Sequence, residues 1–432
     1  MKYRESLHTM QDAAHVTGHT NPHALASIVK ASESCQIVAH EDILDEHGVK
    51  LWSKNQPVSH ALQQRLLERK LRHPLESCLR ADGGVTHVDL NQLATQLLAQ
   101  HPLLSSGVGH WADALLEDIP HLPLHPVASL LLTATRASTP EAYDHAVMSM
   151  LLGGALALHA GEDRYQVRLH MLGGLLHDLG EMYIQPDYLR DGRPLAPEAW
   201  RHICVHPKVG EMLLQRQTDY PRELCRAVGE HHERGNGLGY PARARQLSPL
   251  GARLSAVETL MGVLASGRPD AWEHAALAVR LLPSEFDRAA ASLASEAARR
   301  HQATAPMPTC PPADEIWARA QDHQRHIQAA LQVVLTLTEE APSAKVKAAA
   351  ATITPILEEL LRACDALGLW APRHLAGEQL HELHLANLEL AYRIVTLQRT
   401  VCWLDGSWCP AESDALAQVW QALFGEALAE AA

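Results

Sequence analysis

Between Glu141 and Glu258 the chain places histidines and acids at long, nearly even intervals. They run Glu141-x3-His145, His177-Asp178, His206-Pro207, His231-His232-Glu233 and Glu258, with Gly239-Tyr240-Pro241 after the histidine pair. The steps from His145 to His177, to His206 and to His231 are 32, 29 and 25 residues. Such a series forms one site only if several helices fold back to a common point. Glu141 and His145 share a helix face, because residues four apart lie one above the other. His177 and Asp178 are about 100° apart on a helix, so they can serve two ions lying side by side. His231-His232 repeats that arrangement. A mixed nitrogen and carboxylate donor set suits iron, manganese or another first-row ion, whereas a closed structural zinc site favours thiolates. Two or three such ions bind a phosphate, acidify water and neutralise the phosphate oxygens, as phosphodiester hydrolysis requires.

The rest of the composition narrows the class. The 432 residues are 47 % hydrophobic but only 4 % aromatic. With Ala and Leu abundant, that favours helices over strands. The length predicts two or three domains. A net charge of −13 without a long Lys/Arg run argues against a nucleic-acid polymer as partner. A small anionic ligand stays open, because bound metal dominates the local charge. None of the eight cysteines forms a C-x-x-C pair, which predicts reduced thiols in a cytoplasmic protein. The opening MKYRESLHTMQDAAHV lacks the apolar core of a signal peptide. The apolar stretch Met148–Leu158 is too short and Gly-interrupted to span a membrane.

Three regions are expected. Residues 1–124 form a small α+β region, with a hairpin in Cys35–Trp52 and a helix over Val58–Leu71 capped by Ser59. Residues 125–300 form a helical core. Its helices are expected at Val127–Thr135, from Thr139-Pro140-Glu141 onward, and at Val167–Leu179, Glu198–Arg216, Arg222–Glu233 and Leu250–Leu264. Gly153-Gly154 and Gly173-Gly174 suggest close helix packing. Residues 301–432 begin with the Pro-rich linker His301–Ala313. Helices at Asp314–Glu339, Ser343–Leu367, His374–Leu404 and Ser413–Leu428 follow, and a homodimer through them is plausible.

The strings EAYDHAVMSMLLGG, LGGLLHDLGEMYIQPDYLRDGRPLAPEAWRHICVHPKVGEMLL and HHERGNGLGYPARARQLSPLGARLSAVETL together resemble the HD-GYP phosphohydrolases. The resemblance covers about residues 125–290. It implies a mainly α fold with an HD-type core, and binding or cleavage of the bacterial second messenger cyclic di-GMP. It implies metal ligands at His145, His177, Asp178, His206, His231 and His232, with catalysis at His177 and Asp178. Glu141 falls where some members add a ligand for a third metal, and Glu258 where the family has a ligating Asp. Substrate contacts are implied at the position of Glu181, at Asn236, Gly239, Tyr240 and Pro241 in the signature loop, and at Arg268 of Arg268-Pro269.

Three departures bear on catalysis. Glu181 stands where the family has a phosphate-facing Lys. A charge pair at 4 Å is worth about 4 kcal/mol at an effective dielectric of 20, so that reversal can cost several orders of magnitude in rate if Glu181 points at the phosphate. Asn236 replaces an acid but keeps the turn. Glu258 replaces Asp and extends the carboxylate by a methylene. The alternative to an enzyme is therefore a degenerate member that binds metal and nucleotide, or a protein partner, as a sensor. Elsewhere, His381-Glu382-Leu383-His384 lacks the two-residue gap of a zinc-protease helix and fits a solvated face. Tyr240 suits either base stacking or loop packing. Trp403 and Trp408 suit core or interface anchors.

Overall fold

The computed structural model describes residues 20–66, 69–189, 196–282, 284–302, 310–366, 368, 370, 377–404 and 408–428. It is mainly helical, with four short strands among the described residues. No described helix is long and apolar enough to cross a membrane.

The chain packs as two compact units. One joins the described residues up to Glu233 with Tyr240–Met261; the other joins Arg234–Gly239 with the described residues from Gly262 onward. This differs from the three-region division, and the apolar side chains explain why. Ala24, Val85, Leu90 and Leu115 share a core with Leu131, Met150, Leu175, Val228 and Leu254, so the N-terminal region belongs with the helical core. Leu277, Leu281 and Leu282 instead bury with Ile316, Val334, Leu357 and Leu390. Fully burying a Leu is worth roughly 1.5–3 kcal/mol, so shared burial sets the packing units.

In the first unit, α1 (Pro22–Ala31) is capped by Asn21, whose side chain accepts from the backbone of His23 and Ala24. The expected hairpin is only partly formed. Strands β2 (Ile43–Leu44) and β3 (Lys50–Trp52) pair with each other. Strand β1 (Gln36–Ala39) instead pairs antiparallel with β4 (Leu79–Asp82). Ile37, Val38 and Ala39 are all buried, so this run lies inside the fold and needs a distant partner. The helix expected over Val58–Leu71 is the shorter α2 (His60–Leu66). Short helices α3 (Leu75–Cys78), α4 (His87–Gln100), α5 (Pro102–Val108) and α6 (Ala112–Asp118) follow.

The site is carried by α7 (Pro126–Ser138), α8 (Pro140–His159), α9 (Arg164–Leu176), α10 (Pro197–Ile203), α11 (His206–Gln217), α12 (Arg222–Glu230) and α13 (Pro249–Leu264). Thr139 holds the N-cap position of α8, but its side chain makes no capping bond. The helix expected over Val167–Leu179 ends at Leu176 and tightens into a 3-10 turn, His177–Tyr183. The single helix expected over Glu198–Arg216 is two, because Pro207 sits in the first turn of a new helix, where a missing N–H costs nothing. Helix α12 stops at Glu230, with His231 as its C-cap.

Helices α8 and α9 pack face to face. A Cβ at Gly174 would run into the Ser149 carbonyl oxygen, and one at Gly153 would lie 2.9 Å from the His170 carbonyl oxygen. Gly154 and Gly173 face side chains instead.

In the second unit, α14 (Ala271–Leu281) and α15 (Arg288–Gln302) lead to α16 (Ala313–Glu340), α17 (Ala344–Ala366), α18 (Glu378–Leu404) and α19 (Pro410–Leu428). The four expected C-terminal helices are there within a few residues. His374 and Leu367, at two expected ends, lie outside the described residues, as does 303–309 of the expected linker. Helix α16 packs against α17, α18 and α19. Arg393 of α18 is buried between Glu285 and Glu389, and Glu389 also receives His274 at 3.1 Å.

Gly174→Ala is expected to destabilise the protein by about 1–3 kcal/mol, the usual cost of overpacking. Gly262→Ala, at an exposed position of α13 with open space for a Cβ, is expected to stabilise it by up to ~1 kcal/mol. Urea unfolding of both variants checks the pair; equal effects would contradict the close approach at Gly174.

Candidate metal centre

Helix ends place the histidines. His177 caps the C-terminus of α9, His206 begins α11, and His231 caps the C-terminus of α12. Each uses Nδ1 to bond the carbonyl three residues earlier: Gly174 at 2.8 Å, Ile203 at 2.8 Å and Val228 at 2.6 Å. A carbonyl only accepts, so Nδ1 carries the proton in all three rings. Nε2 is thereby turned toward the common centre, the arrangement that orients histidine for a metal. His145 projects from α8, His232 follows His231, and Glu258 comes from α13.

Asp178 lies at the middle. Its Oδ2 is 3.0 Å from His177 Nε2 and 3.6 Å from His145 Nε2. Its Oδ1 is 3.3 Å from both His206 Nε2 and His231 Nε2. Glu258 spans the cluster in the same way. Its Oε2 is 3.4 Å from His177 Nε2 and 3.7 Å from His145 Nε2, and its Oε1 is 3.9 Å from His232 Nε2. Two donor sets result, His145/His177/Asp178 and Asp178/His206/His231/His232, each with its donor atoms within 4.8 Å of one another. They share Asp178.

The electrostatics fit a bound cation. Burial raises the Asp178 carboxyl, but the charge of His177 and the histidine rings against its two oxygens hold it well below the usual carboxylate range. Burial likewise raises Glu258, and the nearby His145 and His177 rings bring it well below. Burial disfavours charge on His177, yet Asp178 and Glu258 hold its pKa well above the usual value. His231 is pushed down to about 4 and His232 well below its usual value, in both cases chiefly by burial. Two ionised carboxylates thus face histidines of which two stay neutral, a donor set ready for a divalent ion. Glu258 Oε2 is buried and has no hydrogen-bond partner, although two histidine nitrogens lie near it. A metal ion would satisfy that oxygen.

Other expected site residues lie in different settings. Glu141 is exposed in the first turn of α8, outside both donor sets. Glu181 sits on the 3-10 turn, and its carboxyl is pushed up to about 7 by burial and then by Asp178. Tyr240 stacks on His232, with ring centroids 4.5 Å apart and planes 19° apart. Its N–H donates to the His232 carbonyl at 3.1 Å, and a cis peptide joins it to Pro241. Gly239 and Asn236 belong to the second unit. There the Asn236 amide donates to Glu285 at 2.8 Å, and its oxygen accepts from the Leu238 N–H at 3.0 Å. Arg268 is also in the second unit, its guanidinium paired with Asp270 at 2.7 and 2.6 Å.

Sequence reasoning missed two supports. Buried Glu233 accepts the N–H groups of Ala242 at 2.6 Å and Ala244 at 2.8 Å, tying down the chain after Pro241. Gly180 lets the 3-10 turn meet α11, since a Cβ there would strike the His206 carbonyl oxygen. Glu233 was visible as the acid after the histidine pair, but spacing alone assigns it no partner.

The HD domain family matches residues 142–259. The chain is 29 % identical to "Cyclic di-GMP phosphodiesterase PA4108" of Pseudomonas aeruginosa, over 47 % of each chain. It is 32 % identical to "Cyclic di-GMP phosphodiesterase response regulator RpfG" of Xanthomonas campestris pv. campestris, over 28 % of this chain and 33 % of that one. It is 22 % identical to "3'3'-cGAMP-specific phosphodiesterase 1" of Vibrio cholerae, over 44 % of this chain and 46 % of the other. The chain spans less than half the length of these curated relatives. No solved structure matches it significantly. Residues 142–259 thus match an HD domain, and the relatives named cyclic di-GMP phosphodiesterases are similar over part of their length.

Asp178→Asn is expected to lose divalent-metal binding, while Glu141→Gln keeps it. Elemental analysis of the two variants after loading with manganese checks this; full metal content in Asp178→Asn would contradict the shared-carboxylate geometry.

Proposed function

We propose that this protein is a metal-dependent phosphodiesterase that hydrolyses cyclic di-GMP to pGpG and GMP. The observation that carries the proposal is the Asp178 carboxylate, whose two oxygens face two separate groups of histidine nitrogens. His145, His177, Asp178 and Glu258 would hold one divalent ion. Asp178, His206, His231 and His232 would hold a second, with iron or manganese fitting the nitrogen and carboxylate donors. Bound there, the ions would supply positive charge to phosphate oxygens and acidify water at neutral pH. Support for the nucleotide comes from the relatives whose names give cyclic di-GMP or 3'3'-cGAMP as substrate.

The chain's own residues have separate tasks. Nδ1 of His177, His206 and His231 holds its proton against a backbone carbonyl and fixes each ring. Tyr240 holds the His232 ring by stacking, and Glu233 secures the segment that follows. Glu181 sets the charge that a substrate phosphate meets. Without metal, burial and then Asp178 push its carboxyl up to about 7; bound cations would favour its ionised form, which repels phosphate.

The same residue favours a second reading, in which the protein binds metal and cyclic di-GMP as a sensor without turnover. An acid at position 181 supplies no cation to the phosphate, whatever its protonation state.

Turnover of cyclic di-GMP by manganese- or iron-loaded protein decides between the two, with products separated by chromatography. The proposal expects linear products and at least tenfold higher kcat/KM in Glu181→Lys. Nucleotide binding with full metal content and no products would establish the sensor instead.

A further inference from the structure

The second unit contains a cavity of about 230 Å3 walled by α14, α15 and α18. It goes beyond the phosphodiesterase reading, since its walls include none of the candidate metal ligands. Pockets for drug-sized ligands run to roughly 300–1,000 Å3, so its occupant is smaller than a cyclic dinucleotide. Part of the wall is hydrocarbon, with Ala276, Leu277 and Leu385 among its residues.

The polar part of the wall is acidic. Glu273, Glu378 and Glu382 line it against a single Arg280. Arg280 lies 3.4 Å from Glu382; among the described residues Glu273 and Glu378 form no ion pair, Glu273 being half-buried and Glu378 exposed. Glu273 Oε2 is buried and has no hydrogen-bond partner. An unmet buried acceptor costs about 1–3 kcal/mol, more when charged. His381 also lines the cavity and is only 7 % exposed. Its Nδ1 meets Cys310 Sγ at 3.1 Å, while its Nε2 has no hydrogen-bond partner. Asp270, 3.5 Å from that nitrogen, already receives two N–H groups from Arg268.

These observations narrow the occupant by its chemistry. An anion would meet uncompensated carboxylates. A metal ion would need converging donors, and the groups of that kind among the described residues are both at Asp178. An organic ammonium ion brings N–H donors for Glu273 and a carbon chain for the apolar wall. We propose that this cavity binds a small alkylammonium ion, with Glu273 as its counter-ion and the chain against Leu277 and Leu385.

Isothermal titration of the 432-residue chain at fixed ionic strength tests this, with n-butylamine and 1,4-diaminobutane as probes and n-butanol as the neutral control. The amines are expected to bind saturably and n-butanol not to bind. Glu273→Gln is expected to weaken amine binding at least tenfold, while Glu315→Gln, an exposed acid in the first turn of α16, leaves it unchanged. If thermal unfolding shows that Glu273→Gln does not fold, Glu378→Gln takes its place and is expected to weaken binding. Amine heats no larger than those of sodium chloride, or undiminished binding in the folded variant, would overturn the proposal. Neither readout involves metal or turnover, so this result is independent of the phosphodiesterase reading.

Discussion

One carboxylate organises the first unit: Asp178 faces four histidines, two through each oxygen. A buried carboxylate without partners would take up a proton, because desolvation penalises its charge. Here the surrounding histidines outweigh burial and keep it ionised. Glu258 repeats the pattern from a different helix. Two negative groups held ionised among buried nitrogens make a strong local demand for positive charge. Bound metal cations would meet that demand.

The fold supplies this geometry through interruptions in its helices. An unbroken helix would commit the carbonyls of Gly174, Ile203 and Val228 to backbone N–H groups four residues on. Because α9, α10 and α12 end near those residues, the carbonyls are available to the Nδ1 atoms of His177, His206 and His231. Pro207 fixes where α11 starts, and Gly180 lets the 3-10 turn approach it. After Glu233 the chain passes into the second unit for Arg234–Gly239 and returns at Tyr240. Within that unit the segment is held by Asn236 on Glu285 and by Thr400 Oγ1 on the Leu238 carbonyl at 3.1 Å. Glu285 in turn pairs with buried Arg393.

Much of this was legible in the sequence, and what was not has physical causes. Seven residues picked by spacing and resemblance, His145, His177, Asp178, His206, His231, His232 and Glu258, do converge. Their identity and order survive any adjustment of helix ends. Helix ends themselves were less legible, since periodicity does not register the ring-to-carbonyl bonds that accompany the breaks near Leu176, Cys204 and Glu230. The pairing of β1 with β4 depends on residues some forty positions apart, and an apolar run does not name its partner. Arg268 was singled out by resemblance, and nothing in the string Arg268-Pro269-Asp270 reveals that the arginine and the aspartate pair. Asn236 kept its turn as expected, with its oxygen on Leu238, but its partner Glu285 is 49 residues away.

The central claim is that Asp178 bridges two metal positions. Anomalous diffraction from crystals grown with manganese measures this directly. The account predicts two peaks about 3.5–4 Å apart, the usual spacing of a two-metal site. One should lie against His145 and His177, the other against His206, His231 and His232, with Asp178 between them. A single peak, or two peaks that do not share Asp178, would contradict it.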